Sequence, residues 1–339
     1  MRPAAAAWLG PPAARDRWIV GLRGPRALHH PERYQGLIVE DERAADGSVA
    51  RVATVFLTGR ECPWRCVMCD LWKHTTATDT PVGAIPAQIA EAREATASGN
   101  PPVTQIKLYN AGSFFDPRAV PEADYDTIAR LLHGLDRVIV ESHPALIGSR
   151  VERFAAALDR RAPGTALEVA VGLETAHPLA LERLNKRMTV AEVAAAADHL
   201  RSTGTALRIF LLIAPPFIAP DDQDAWLLRS IDAAVSCAAT AVSLIPMRPG
   251  NGAVEALARE GLFVAPRLAD VERSADAAHR HASGSARIFV DLWDLERLAD
   301  CGQCVEARRR RLHAMNLEQR VLPPVACAEC GTSGANQVA

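Results

Sequence analysis

The sequence lacks a charge excess of either sign: 38 lysines and arginines stand against 40 aspartates and glutamates, a formal net charge of −2. A chain so close to neutral has no overall field to draw it onto nucleic acid or a membrane, so any such binding needs a local patch. It also lacks an apolar run of membrane-spanning length. The alanine-rich start, MRPAAAAWLGPPAARDRW, is interrupted by Pro11, Pro12 and Arg15 before it reaches the length of a signal peptide. A cytoplasmic protein without membrane attachment is expected. No GxGxxG or GxxxxGKS/T sequence is present, which removes the common glycine-rich phosphate loops. Cysteine is missing from most of the chain, because seven of the eight lie in two tight groups and only Cys237 stands alone, in an alanine-rich helical stretch where a small buried hydrophobe is expected. Close groups without a secretory signal indicate metal or cluster binding more than disulfides.

What is present is enough apolar material, 49% of 339 residues, for one large core with extensions. Six short runs rich in Val, Ile and Leu recur: VATVFL, QIKLYNAG, RVIVES, ALEVAVGLE, ALRIFLLIA and AVSLIP. Alanine-rich helical stretches separate them, so the fold class is α/β with a parallel sheet and helices outside it. Periodicity fits a partial barrel and a doubly wound sheet equally; in both, the site lies in the loops at the carboxyl ends of the strands. Three regions are expected: an N-terminal extension over residues 1–50, a core over 51–260 and a C-terminal accessory region over 261–339. The extension should end in a hairpin, where GLIVEDER and VARVATVFLTG flank the turn signal Asp46-Gly47. The accessory region carries a short strand, ARIFVDLW, the second cysteine group and a tail, GTSGANQVA, expected to be disordered.

The first cysteine group, Cys62, Cys66 and Cys69, forms a CxxxCxxC pattern directly after an apolar strand. Three thiolates on a short loop can converge on three corners of an iron-sulfur cube and leave the fourth iron open. The bland alternative is a structural zinc loop with His74 as a fourth ligand, but zinc sites usually pair cysteines as CxxC. Here the sequence resembles the radical S-adenosylmethionine (SAM) superfamily, whose CxxxCxxC loop follows the first strand of a partial (β/α)6 barrel. The resemblance implies a [4Fe-4S] cluster, SAM chelated at the open iron, and reductive cleavage to methionine and a 5′-deoxyadenosyl radical that abstracts hydrogen from a substrate. It also implies an electron donor of flavodoxin or ferredoxin type. Met68 stands where many members have an aromatic residue.

Four further segments carry the resemblance over roughly residues 50 to 260. Asn110, Gly112 and Ser113 stand where the superfamily has a glycine-rich motif that receives the methionine amino group, although its usual acidic residue is missing. Glu141-Ser142-His143-Pro144 resembles a signature of the elongator catalytic subunit and related tRNA-modifying members, with His143 in place of arginine. On the fourth strand and beyond it, Glu168 or Glu174 would hold the ribose hydroxyls and Lys186 or Arg187 the methionine carboxylate. Leu244 and Ile245, on the last core strand, would offer an apolar face to adenine; core packing explains them equally well. Two longer stretches, GLETAHPLALERLNKRMTVAEV and YNAGSFFD, resemble the archaeosine-forming branch, which acts on a modified guanine in tRNA.

The second group consists of two CxxC pairs, Cys301 with Cys304 and Cys327 with Cys330. Two chelating turns complete a set of four thiolates, suited to structural zinc or an auxiliary iron-sulfur cluster. Between them lie Arg308, Arg309, Arg310 and Arg311, which spread around a helix and read either as a solvated charge run or as a phosphate-contacting patch for RNA. His29, His30 and His177 show no ligand spacing. The expected function is radical SAM chemistry on a nucleoside in tRNA. The alternatives are the same chemistry on a small metabolite or protein side chain, and a non-catalytic RNA-binding module carrying metals.

Overall fold

The computed structural model describes residues 7–330, and the tail expected to be disordered lies outside them. Gly47 turns the expected hairpin with φ +86°, a conformation that glycine adopts without steric cost. On either side β1 (Gly36–Arg43) and β2 (Val49–Leu57) pair antiparallel, with Arg43 opposite Val49. All six apolar runs form strands: β2, then β3 (Gln105–Asn110), β4 (Arg137–Glu141), β5 (Ala166–Glu174), β6 (Ala206–Ile213) and β7 (Ala241–Pro246). The segment ARIFVDLW supplies β8 (Arg287–Val290), which extends the same sheet in parallel beside β7.

Strand order follows chain order across one eight-stranded sheet, and every pairing after the hairpin is parallel. A doubly wound sheet reverses its order at a switch point. This one never does, so the barrel is the architecture, nearly closed. The helices Ala84–Thr96, Tyr125–Leu131, Ser149–Arg161, Val190–Ser202, Gln223–Ser236 and Leu268–Ala282 return the chain between successive strands. Ser149–Arg161 buries Val151, Phe154, Ala157 and Leu158, the spacing of one helix face. Val190–Ser202 starts on a capping box, in which Thr189 Oγ1 accepts from the Glu192 amide at 3.2 Å and the Glu192 carboxylate accepts from the Thr189 amide at 2.7 Å.

Successive strand residues face opposite sides. Val55, Leu108, Val140, Val171, Leu211 and Leu244 point outward and join the core under the helices. This corrects the expectation for Leu244, which faces away from the barrel interior. The inward positions near the strands' amino ends are charged instead. Arg208 donates to Glu168 and to Glu42, each at 2.6 Å, and Lys107 donates to Glu42 at 2.5 Å. Arg137 and Arg287 approach Glu168 from the rim at 3.3 and 3.7 Å. Burial alone would raise the Glu168 carboxyl, but Arg208, Arg287 and Arg137 outweigh it and hold the group below the ordinary range. The network also ties the ends of the sheet together, since Glu42 lies on β1 and Arg287 donates to the Arg43 carbonyl at 2.8 Å.

Candidate functional site

The loop carrying Cys62, Cys66 and Cys69 leaves the carboxyl end of β2, and two asparagines hold its backbone. Asn185 donates from its side chain to the Arg65 carbonyl at 2.7 Å, and Asn251 donates to the Val67 carbonyl. The Val67 amide donates to the Leu184 carbonyl at 2.9 Å. On the outer side Glu61 accepts from Arg23 at 2.8 Å and Arg26 at 2.5 Å, which fastens the N-terminal segment to the loop. His74 packs its ring against His29 at 5.6 Å between centroids.

Burial raises all three thiols. Cys62 lies above its ordinary value, Cys69 is pushed up to about 12, and Cys66 is raised well above the usual range. Burial is also the largest influence on Cys66, followed by the charges of Lys186, Cys62, Cys69 and Glu174. The loop is therefore electrostatically continuous with a charged cluster at the ends of β4 and β5. In that cluster Lys186 donates to Glu174, and burial, tempered by Lys186 and reinforced by Glu174, raises the Glu141 carboxyl to about 7. Glu174 takes φ +68° at a register shift in β5. A Cβ on Gly172 would stand 2.2 Å from Lys186 Nζ and 2.3 Å from Glu174 Oε1, so the pair lies directly over that glycine.

The expected alternatives separate here. Of Glu168 and Glu174, only Glu174 reaches the cluster; Glu168 is held by arginines six residues upstream, about 20 Å along the strand. Of Lys186 and Arg187, only Lys186 faces the interior, while Arg187 turns outward to pair with Asp16. Ile245 and Met68 both border a second apolar cluster that includes Val67 and Leu212, separate from the core that takes Leu244.

Asn110 ends β3 opposite Leu57, on the outward parity that Leu57 and Leu108 share, and among the described residues both polar atoms of its buried side chain lack a hydrogen-bond partner. A Cβ on Gly112 would stand 2.9 Å from the Arg60 carbonyl oxygen and 3.2 Å from Asn110 Nδ2, so only glycine lets this turn approach so closely. Ser113 Oγ accepts from the His143 amide at 2.9 Å, which makes Ser113 a support for the turn. His143 stacks on Trp64 with centroids 3.6 Å apart and planes 12° apart. Its Nδ1 accepts from the Ala145 amide at 3.2 Å and its Nε2 lies 2.9 Å from the Lys186 carbonyl, an arrangement that fixes a neutral ring with the proton on Nε2. Burial lowers this ring to about 4.

The second group also assembles: the sulfurs of Cys301, Cys304, Cys327 and Cys330 all lie within 4.8 Å of one another. The four arginines do not present one exposed face. Arg308 and Arg311 are buried against Glu272, and only Arg309 and Arg310 are exposed, both leaning on Glu306. Sequence reasoning missed Asn185, Asn251 and Trp64 as parts of the site. Asn185 and Trp64 sit inside the two motifs that carried the resemblance, so their positions were the available signal.

A three-cysteine loop after the first parallel strand of a partial barrel is the arrangement of the radical SAM superfamily, and the chain resembles that superfamily in fold and in site. No family model matches the chain. Among curated proteins, the archaeosine synthase subunit beta of Methanosarcina acetivorans is 26% identical over 247 residues, 69% of this chain and 69% of that protein. The subunit of the same name from Thermococcus kodakarensis is 27% identical over 161 residues, 46% of this chain and 48% of that one, so the match spans about half of that relative. The solved structure of Elp3 from Methanocaldococcus infernus overlaps at a TM-score of 0.48 with 12% identity, covering 69% of this chain and 59% of the other. Among the described residues no helix is long and apolar enough to cross a membrane.

Proposed function

We propose that the chain is a radical SAM enzyme whose Cys62, Cys66 and Cys69 hold a [4Fe-4S] cluster and whose substrate is a nucleoside within tRNA. The observation that carries the first part is the placement of three closely spaced thiols, the buried Cys66 between the half-buried Cys62 and Cys69, beside the Glu141, Glu174 and Lys186 cluster at one end of a parallel barrel. When bound, the cluster and SAM supply one-electron reductive cleavage of the sulfonium to methionine and a 5′-deoxyadenosyl radical. Gly112 lets backbone approach the polar end of SAM. Lys186 supplies the cation for its carboxylate. Glu141, raised to about 7, offers hydroxyl groups either a proton or a lone pair near neutral pH. Met68 and Ile245 give an apolar wall beside the loop. The ion network fills the barrel interior near the amino ends of the strands, away from the cysteine loop.

The tRNA assignment rests on the resemblance and on relatives named as subunits of archaeosine synthase, and a partner subunit and a one-electron donor belong to the same proposal. The test is to add SAM to the reconstituted, reduced protein and record the electron paramagnetic resonance of the cluster, then to incubate with tRNA and analyse its nucleosides by mass. A SAM-dependent change in the spectrum and a changed nucleoside support the proposal. A cluster indifferent to SAM overturns the enzyme assignment, and turnover that is unchanged when tRNA is withheld overturns the substrate.

A further inference from the structure

We propose that Cys301, Cys304, Cys327 and Cys330 hold a single tetrahedral zinc ion rather than a second iron-sulfur cluster, and that this ion fastens the helix Val305–Glu318 over the barrel seam. The proposal is independent of the chemistry assigned to the barrel mouth. Its first support is spacing. Four sulfurs around one ion at zinc-thiolate bond lengths stand about 3.8 Å apart along the tetrahedron's edge. Cys301 and Cys327 are 3.9 Å apart, Cys304 and Cys330 are 3.6 Å apart, and all four sulfurs fall within 4.8 Å. The thiolates of a cubane cluster radiate from separate irons and stand farther apart than the edge of one tetrahedron. The second support is charge. Four thiolates on a divalent ion leave two negative charges, and Arg308, buried beside the site, donates to Cys330 Sγ at 3.3 Å.

The connection to the seam follows from what the helix does beyond its first turn. Cys304 stands at its amino end, and near its carboxyl end two side-chain amides act as a substitute strand along the free edge of β8. Asn316 accepts from the Val290 amide at 2.8 Å and donates to the Val290 carbonyl at 2.9 Å. Gln319, three residues on, does the same for Ile288 at 2.8 and 2.9 Å. The edge that would be left unpaired is thereby satisfied. Arg311 then ties the returning chain to the helix, donating to the Leu322 carbonyl at 2.6 Å and the Pro323 carbonyl at 2.9 Å, which brings Cys327 and Cys330 back to the helix start. One ion therefore joins the residues before the helix to those after it.

The experiment compares the full chain with a Cys327→Ser, Cys330→Ser double variant, both purified without oxygen, by counting zinc, iron and acid-labile sulfide. The expected difference is the loss of one zinc per chain with no change in labile sulfide. Loss of sulfide with iron, or a wild-type protein with no zinc and with these cysteines oxidised to disulfides, overturns the proposal. X-ray absorption at the zinc edge of the wild-type protein keeps the test valid if the variant does not fold; four sulfurs at about 2.3 Å are expected, and mixed or fewer sulfur ligands contradict it. For the seam, hydrogen exchange at the Ile288 and Val290 amides should accelerate at least about tenfold when the ion is chelated. Unchanged exchange overturns the fastening role. Failure of the first cysteine loop to load would leave all of these readouts untouched.

Discussion

Asn185 reaches across to the cysteine loop and donates from its side-chain nitrogen to the Arg65 carbonyl at 2.7 Å, while the same nitrogen meets Asp16 Oδ1 at 2.8 Å. Its backbone lies in the left-handed region at φ +59°, which asparagine tolerates better than most side chains. Asn185→Ala should cost on the order of 1 kcal/mol, because it leaves a part-buried carbonyl without its donor. The denaturation midpoint should fall and iron should be lost faster on gel filtration. Unchanged iron retention would contradict the clamping role.

Two glycines should respond differently to the same methyl group. In Gly112→Ala the new carbon meets backbone, the Arg60 carbonyl oxygen at 2.9 Å, so the cysteine loop itself must shift and iron loading should drop. In Gly172→Ala it meets only the far ends of Lys186 and Glu174, which can swing away. That variant should fold and load iron but bind SAM more weakly, as titration calorimetry of the reconstituted proteins can show.

The interior ion network predicts a stability effect without a chemical one. Arg208→Met leaves Glu168 and Glu42 buried without their shared guanidinium, which should cost about 3–5 kcal/mol. Urea unfolding measures this. Deoxyadenosine formation per folded molecule should stay near the wild-type value, because the network lies at the strand ends opposite the cysteine loop.

Loading of the loop should depend on pH with a definite sign. Its thiols are raised by burial, Cys69 to about 12, so at neutral pH they are protonated before metal binds and must release protons on ligation. Cluster incorporation at fixed iron and sulfide should therefore rise as pH increases from about 6.5 to about 8.5. Iron incorporated per chain after a fixed time is the readout; a flat or falling profile would contradict the account.

The sheet was readable because each parallel strand is buried on its outer face and announces itself as an apolar run. Its closure was less visible, since periodicity does not distinguish a barrel from a doubly wound sheet; the unbroken strand order decides it. The charged residues within the strands, Lys107 in QIKLYN, Glu168 in ALEVAVGLE and Arg208 in ALRIFLLI, had a signal in their alternation with apolar neighbours. Read singly, Glu168 looked like a ligand; only its three-dimensional partners show that it is neutralised far from the loop. The cysteines were legible because thiolate ligands are rare and closely spaced. The asparagine clamps were not, since their role depends on turns that bring residues 185 and 251 onto residues 65 and 67. The arginine run misled for a related reason: helical geometry turns Arg308 and Arg311 inward and leaves only their two neighbours in solvent.

The central claim is tested most directly by assaying 5′-deoxyadenosine after the anaerobically reconstituted chain is mixed with dithionite and SAM, beside a Cys66→Ala variant. The account predicts deoxyadenosine from the wild-type protein and none from the variant. A wild-type protein that carries iron and sulfide but yields no deoxyadenosine, or a variant that yields as much, would contradict it.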